Sequence, residues 1–113
     1  MNSEHYHPKV RGPLSFLNPP ERKALIPEEK LMMNVLLGAV HDYFRDLGAG
    51  RKGLRNRALF YFYSPDKQYI FSFGFICDHF GFDKTSTRNK IMETSYAQYR
   101  ENIRKERYYS KIK

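Results

Sequence analysis

The chain has 113 residues and a basic balance, with 20 Lys or Arg against 12 Asp or Glu. This length suits one domain around one hydrophobic core, and the 41% share of hydrophobic residues excludes a chain that is disordered throughout. The charge favours a polyanionic partner, and among nine Phe and nine Tyr some rings must lie at the surface, available to a partner.

Residues 1–27 are predicted to form an irregular N-terminal arm. Prolines interrupt this segment, fix φ and remove backbone donors, which excludes a long helix. We expect the first ten residues to be disordered. Five apolar side chains still offer a means of holding the arm against the domain: Leu14, Phe16, Leu17, Leu25 and Ile26.

The clearest helix is predicted over residues 28–47. Pro27 suits the first helical position, and Glu28 and Glu29 place negative charge near the positive end of the helix dipole. Gly48 is expected to end the helix. The apolar face is wide, so we expect this helix in the core or in a homodimer contact. Its residues are Leu31, Val35, Leu36, Ala39, Val40, Tyr43, Phe44 and Leu47, and Met32 and Leu37 widen it.

Residues 54–63 have two interpretations. Leu54, Ala58, Tyr61 and Phe62 fit one helical face, yet the aromatic run has a high strand propensity. The turn signal SPDK follows, and then the short run QYIFSF. A helix followed by a short extended segment is favoured, and a short β-hairpin over residues 54–71 is the alternative.

Residues 72–83 carry the most informative pattern. Ser72 is predicted to cap a helix over residues 73–80, and Asp83 to cap a second helix. Gly81 lies where the chain must turn sharply, and Phe82 is the apolar residue between the helices. The apolar face of the first helix comprises Phe73, Ile76, Cys77 and Phe80. Two short helices joined at a glycine are typical of a helix-turn-helix, whose second helix lies in the DNA major groove.

The second helix is polar and basic, with Thr87 and Ile91 predicted to face inward. Arg88 suits guanine and Asn89 suits adenine, because each side chain forms two hydrogen bonds with that base. The predicted DNA-binding surface of this helix comprises Lys84, Thr85, Ser86, Arg88, Asn89 and Lys90. Residues 84–113 hold 9 basic and 3 acidic side chains, whereas residues 1–83 hold 11 and 9. The excess charge therefore begins where this helix begins.

The run ICDHFGFDKTSTRNKI resembles the helix-turn-helix superfamily of bacterial and phage regulators. It is most similar to members whose second helix follows LG-apolar-D/S-x-x-x-V-R-x-x-I/L. Phe80 to Asp83 match the turn, Arg88 the arginine and Ile91 the closing apolar residue, while Thr87 departs from the usual Val or Ile. The resemblance covers roughly residues 30–92. It implies sequence-specific binding of double-stranded DNA, with contacts from Lys84, Thr85, Arg88 and Asn89.

Residues 93–113 are predicted to form a basic C-terminal helix or tail, continuous with the second helix or separate from it. Tyr96, Tyr99 and Ile103 share one face, and Arg100 and Arg104 lie on another. One interpretation is an arm along the DNA phosphates, with Arg100 and Arg104 in contact. The other is a solvated helix with local ion pairs. A third function for this tail, through Tyr108 and Tyr109, is stacking on single-stranded nucleic acid.

Several function classes lack support in the sequence. His5, His7 and Cys77 do not form a metal-binding pattern, and His41 and His79 are expected at the surface or an interface. We predict no cofactor, no metal and no enzymatic activity. A single cysteine excludes an internal disulfide, and no apolar run reaches the roughly 18–20 residues that cross a bilayer. These observations, with no apolar run typical of a signal peptide, favour a cytoplasmic protein without a membrane partner.

The sequence therefore predicts a small, mostly α-helical domain of four or five helices containing a helix-turn-helix. It divides into the arm 1–27, the helical domain 28–92 and the basic segment 93–113. The predicted function is a bacterial or phage transcription regulator that binds double-stranded DNA, as a homodimer through residues 28–47. The alternatives are a protein-interaction module on the same scaffold and a single-stranded nucleic-acid binder that uses the Tyr-rich tail.

Overall fold

Five α-helices and one short 3₁₀ helix make up the described part of the chain, residues 12–19, 25–49 and 52–111 of a computed structural model. Side chains are described for residues 12–19, 25–45 and 53–104. The elements are the 3₁₀ helix Gly12–Leu17, α1 Pro27–Ala49, α2 Lys52–Tyr63, α3 Phe73–Phe80, α4 Lys84–Glu93 and α5 Tyr96–Lys111. These ranges contain no strand, so the mostly α-helical fold is confirmed. None of the helices described has the length and apolar character needed to cross a bilayer.

Helix α1 packs along α2 and supplies much of the core. Leu36, Val40 and Phe44 of α1 are buried at the predicted spacing, together with Phe62 of α2. Their burial removes apolar surface from water, which is the main favourable contribution to the folding of such a domain. The predicted apolar face of the long helix is therefore turned mostly into its own core.

The two ends of α1 differ from the sequence prediction. Near the start, Leu31 is exposed against the prediction, whereas Met32, which was predicted to widen the apolar face, is buried together with Met33. Methionine is unbranched and adapts to irregular gaps in a core. At the other end, the helix continues through Gly48 to Ala49, so the predicted stop at Gly48 is wrong. A glycine signal locates a helix end only to within one or two residues.

Helix α2 ends at Tyr63, so the helix favoured for residues 54–63 is confirmed. The alternative, a β-hairpin over residues 54–71, is wrong. Ala58 and Phe62, one turn apart, are both buried, and this packing outweighs the strand propensity of the aromatic run. The chain then turns rather than pairing as a strand. Asp66 Oδ1 accepts the backbone N–H groups of Gln68 and Tyr69, at 2.9 and 3.4 Å.

The 3₁₀ helix holds the described part of the N-terminal arm against the domain, as predicted, whereas Ile26, also predicted to do so, is 55% exposed. Leu14 and Leu17 are buried, and Phe16 and Leu25 pack against the core. The Leu14 N–H donates to Asn102 Oδ1 of α5 at 2.9 Å, although the two residues are 88 positions apart. The predicted disorder of residues 1–10 lies outside the described residues.

Helix α5 is separate from α4, so the two do not form one continuous helix. Ser95 Oγ accepts the Gln98 N–H at 3.1 Å, and Gln98 Oε1 accepts the Ser95 N–H at 3.0 Å. This reciprocal capping box starts a new helix. Tyr99 is buried, and Tyr96 and Ile103, which were predicted to share its face, pack against the core.

Candidate nucleic-acid interface

Helix α3 begins where the sequence predicted. Ser72 has extended backbone angles, φ −71° and ψ 154°, and its side chain accepts the Phe75 N–H at 3.1 Å. The predicted inner face of α3 is confirmed, because its four apolar residues are all buried: Phe73, Ile76, Cys77 and Phe80. This packing fixes α3 on the core and so fixes where the next helix starts.

The turn after α3 is a Schellman motif. Gly81 has φ +79°, in the left-handed region that glycine enters without steric cost. The Phe82 N–H donates to the Cys77 carbonyl at 2.8 Å, and the Gly81 N–H donates to the Asp78 carbonyl at 3.3 Å. Asp83 then caps α4, since its carboxylate accepts the Ser86 N–H at 2.9 Å. Three residues, Gly81 to Asp83, therefore connect α3 to α4.

Helix α4 presents an inner and an outer face. Thr87 and Ile91 are buried, as predicted. Thr85, Asn89 and Lys90 are exposed on the outer side, whereas Ser86 is half-buried. Lys90 Nζ also lies 5.6 Å from the centre of the Phe16 ring, which brings this cation near the N-terminal 3₁₀ helix.

Two of the predicted DNA-contacting cations point toward α2. Lys84 Nζ donates to the Ser64 carbonyl at 3.0 Å, and Arg88 Nη1 donates to the Phe62 carbonyl at 3.4 Å. The Arg88 guanidinium also lies 4.5 Å from the centre of the Tyr63 ring. Carbonyls at the end of a helix lack partners within the helix and attract cations. The positive charge of Lys84 and Arg88 thus stabilises the end of α2 in this structure.

The basic residues predicted on α5 are at the surface. Arg100 and Arg104 are both exposed and lie one helical turn apart. The Arg100 guanidinium lies 5.9 Å from the centre of the Tyr96 ring. The side chains of Lys105, Arg107, Tyr108 and Tyr109 lie outside the described residues. Two arginines of the predicted phosphate-binding arm are therefore accessible to solvent.

Sequence reasoning did not locate a groove between α2 and the loop of residues 64–72. This groove, called the aromatic groove below, encloses about 690 Å³ and is lined among others by Arg57, Phe60, Tyr63 and Tyr69. Phe60 is 80% exposed, Tyr69 62% and Tyr63 55%. Four consecutive aromatic residues in a helix cannot all face the core, so the run FYFY at residues 60–63 contained the signal.

Burial shifts the pKa of two side chains near this site, Cys77 of the core and the half-buried His41. Burial raises the pKa of the Cys77 thiol to about 12. His41 Nδ1 and the Tyr99 hydroxyl share a hydrogen bond of 2.7 Å, and burial, with a smaller contribution from Arg45, lowers the pKa of His41. His79 faces solvent as predicted, and its Nε2 contacts Glu29 Oε2 of α1 at 2.8 Å. No three potential metal ligands gather within the described ranges.

Comparison with protein-family models, with curated proteins and with solved structures found no match to this chain. Two features of the described surface indicate a function. They are the capped pair of helices α3 and α4, and the exposed aromatic and basic side chains around them.

Proposed function

We propose that this protein binds double-stranded DNA through a helix-turn-helix formed by α3 and α4, as a cytoplasmic regulator. The observation that carries the proposal is the form of α4. Its inner residues Thr87 and Ile91 are buried, while Thr85 and Asn89 remain exposed on the opposite side. A helix held in this way, with polar side chains near its N-terminal half facing outward, suits the major groove.

Different residues would contact the bases and the phosphates of the DNA. Asn89 would read adenine with two hydrogen bonds, and Thr85 would contact a thymine methyl or a phosphate. Lys90, Arg100 and Arg104 are exposed cations that would neutralise phosphates, which makes the affinity dependent on salt. Each phosphate contact contributes roughly one unit to the slope of log affinity against log salt.

Lys84 and Arg88 would join these contacts only by leaving α2. Both side chains are half-buried and donate to α2 or to the residue after it. Phosphates and guanine offer stronger, charge-assisted or bidentate partners than a backbone carbonyl. We therefore propose that Lys84 and Arg88 contact DNA only in the final complex. The exposed residues would make the first contacts.

A homodimer would extend recognition to two half-sites one helical turn apart. Most of the apolar face of residues 28–47, the predicted dimer surface, is buried in the core of its own chain. The exposed apolar residues that could contact a second copy there are Leu31 and the neighbouring Ile26.

The test is binding of fluorescein-labelled duplex DNA, followed by anisotropy across a salt series that starts near 50 mM. A site is first enriched from a random duplex library. We expect Arg100→Ala/Arg104→Ala to reduce the salt slope by about two units on any duplex. Asn89→Ala should leave the slope unchanged and weaken discrimination at one base pair by about 1–3 kcal/mol.

Arg45→Ala/Lys67→Ala is the matched control, because it removes the same amount of positive charge from exposed side chains of α1 and of the loop after α2. If it flattens the salt slope as much as the α5 variant, the binding is unspecific attraction to a basic protein. Absence of duplex binding near 50 mM salt would refute the proposal.

The second candidate function is a protein-interaction module on the same scaffold. The contacts of Lys84 and Arg88 with α2 favour it, because they hold two predicted DNA-contacting side chains within the protein. Such a module would keep its fold and show no affinity for duplex DNA in the same assay.

A further inference from the structure

The exposed rings of the aromatic groove take no part in the DNA contacts proposed for α4. Phe60 and Tyr63 lie three residues apart on α2, so their rings are neighbours on one side of that helix. Tyr69 lines the groove from the following loop. More than half of each side chain is exposed. Adjacent exposed aromatic rings usually mark a binding surface.

The loop that forms one wall of the groove is firmly built. Asp66 Oδ1 accepts two backbone N–H groups, and Ser64 Oγ accepts the Asp66 N–H at 3.1 Å. The Tyr61 hydroxyl donates to the Phe71 carbonyl at 2.8 Å, which fastens the end of the loop to α2. The rings are therefore presented on a preformed surface, which lowers the entropy cost of binding.

The charges around the groove favour an anionic partner. Arg57 lines it, and the Arg88 guanidinium stacks on Tyr63. Asp66 is the acidic residue among its lining, and its carboxylate is already bonded within the loop. Two cations against one carboxylate leave the rim net positive, so a symmetric dimer through the groove would bring like charges together. A flexible anion with flat apolar faces fits better, and single-stranded nucleic acid has both properties.

We propose that the aromatic groove binds single-stranded nucleic acid, with unpaired bases stacked on Phe60, Tyr63 and Tyr69 and phosphates beside Arg57. A groove of about 690 Å³ has the size of a small-ligand site, which limits it to a few nucleotides. Stacking tolerates any base, because every base has a π-face. The site is distinct from the outer face of α4 and is proposed for the state in which Arg88 lies against Tyr63, with no duplex bound.

The test uses labelled oligothymidine and oligouridine of about 12 nucleotides, which also separates DNA from RNA. We expect Phe60→Ala/Tyr69→Ala to bind at least one of them about tenfold or more weakly than the native chain. Both side chains are exposed, so the fold should survive, and circular dichroism checks it. Ile70→Ala is the control, since it removes an exposed apolar side chain of the same loop that does not line the groove.

Two further variants make the result specific to stacking. Phe60→Leu keeps an apolar side chain and removes the ring, so it should bind the oligonucleotides more weakly than the native chain. Phe60→Trp keeps a ring and introduces the first Trp of the chain, whose fluorescence should be quenched by the oligonucleotide.

Three results would overturn the proposal. They are no binding of either oligonucleotide near 50 mM salt, equal binding by Phe60→Ala/Tyr69→Ala, or native affinity in Phe60→Leu. The last would indicate a groove for an apolar peptide segment instead. Duplex binding by Phe60→Ala/Tyr69→Ala should equal that of the native chain, so failure of this proposal is distinguishable from failure of the duplex proposal.

Discussion

Replacing Gly74 with alanine should destabilise the protein, although alanine is the better helix former. Gly74 is the second residue of α3 and is buried. An added Cβ would lie 2.7 Å from the Asp66 carbonyl oxygen and 3.0 Å from Lys67 Cβ. The loop wall must then move, and overpacking of this kind costs about 1–3 kcal/mol. The helical advantage of alanine is up to about 1 kcal/mol, so we expect a net loss of roughly 1–2 kcal/mol.

Gly38→Ala is the matched comparison, because Gly38 also lies within a helix. Nothing lies within 4 Å of its added Cβ, and the residue is exposed. We expect it to stabilise the protein by up to about 1 kcal/mol. Urea unfolding followed by circular dichroism measures both changes, with an unchanged m-value as evidence that only stability differs. The reasoning is refuted if Gly74→Ala is neutral or stabilising, or if Gly38→Ala destabilises to a similar extent.

Three further predictions concern single residues. Gly81→Ala should lower the free energy of unfolding by about 1 kcal/mol in the same assay, because φ is +79° there. The added Cβ would lie in open space, so the loss is purely conformational, and an unchanged midpoint would contradict this. Cys77 should react with a thiol reagent at pH 8 only through unfolding, since burial raises its pKa to about 12; native and urea-unfolded protein reacting at equal rates would disprove it. Stability should fall as pH drops below 6.5, because the unfolded state then takes up a proton at His41. In the native state the pKa of His41 is lowered, so the native state resists that proton. His41→Gln should remove this part of the pH dependence.

The sequence predicted the local features of the candidate interface well. Ser72, Gly81 and Asp83 were assigned correctly because a cap or a left-handed turn depends on a few neighbouring residues. The inner positions Thr87 and Ile91 followed from helical spacing. These features depend on short-range chemistry, which a single sequence contains in full.

Contacts between distant segments could not be predicted in the same way. Arg88 is 26 positions from the Phe62 carbonyl that it contacts, and no local pattern indicates that direction. The same holds for the aromatic groove, since the exposure of Phe60 depends on which face of α2 meets α1. The aromatic run predicted surface rings, but only the packing shows that Phe60, Tyr63 and Tyr69 lie around one cavity.

The hydrogen bond between Leu14 and Asn102 has a consequence for the order of folding. It joins residues 88 positions apart, whereas helices α1 and α2 are joined by a short connection. Closing so long a loop costs about 2 kcal/mol more than closing a loop of about ten residues. The 3₁₀ helix and α5 should therefore dock after the central helices have assembled. Substitution of Asn102 would then accelerate unfolding and leave the folding rate nearly unchanged.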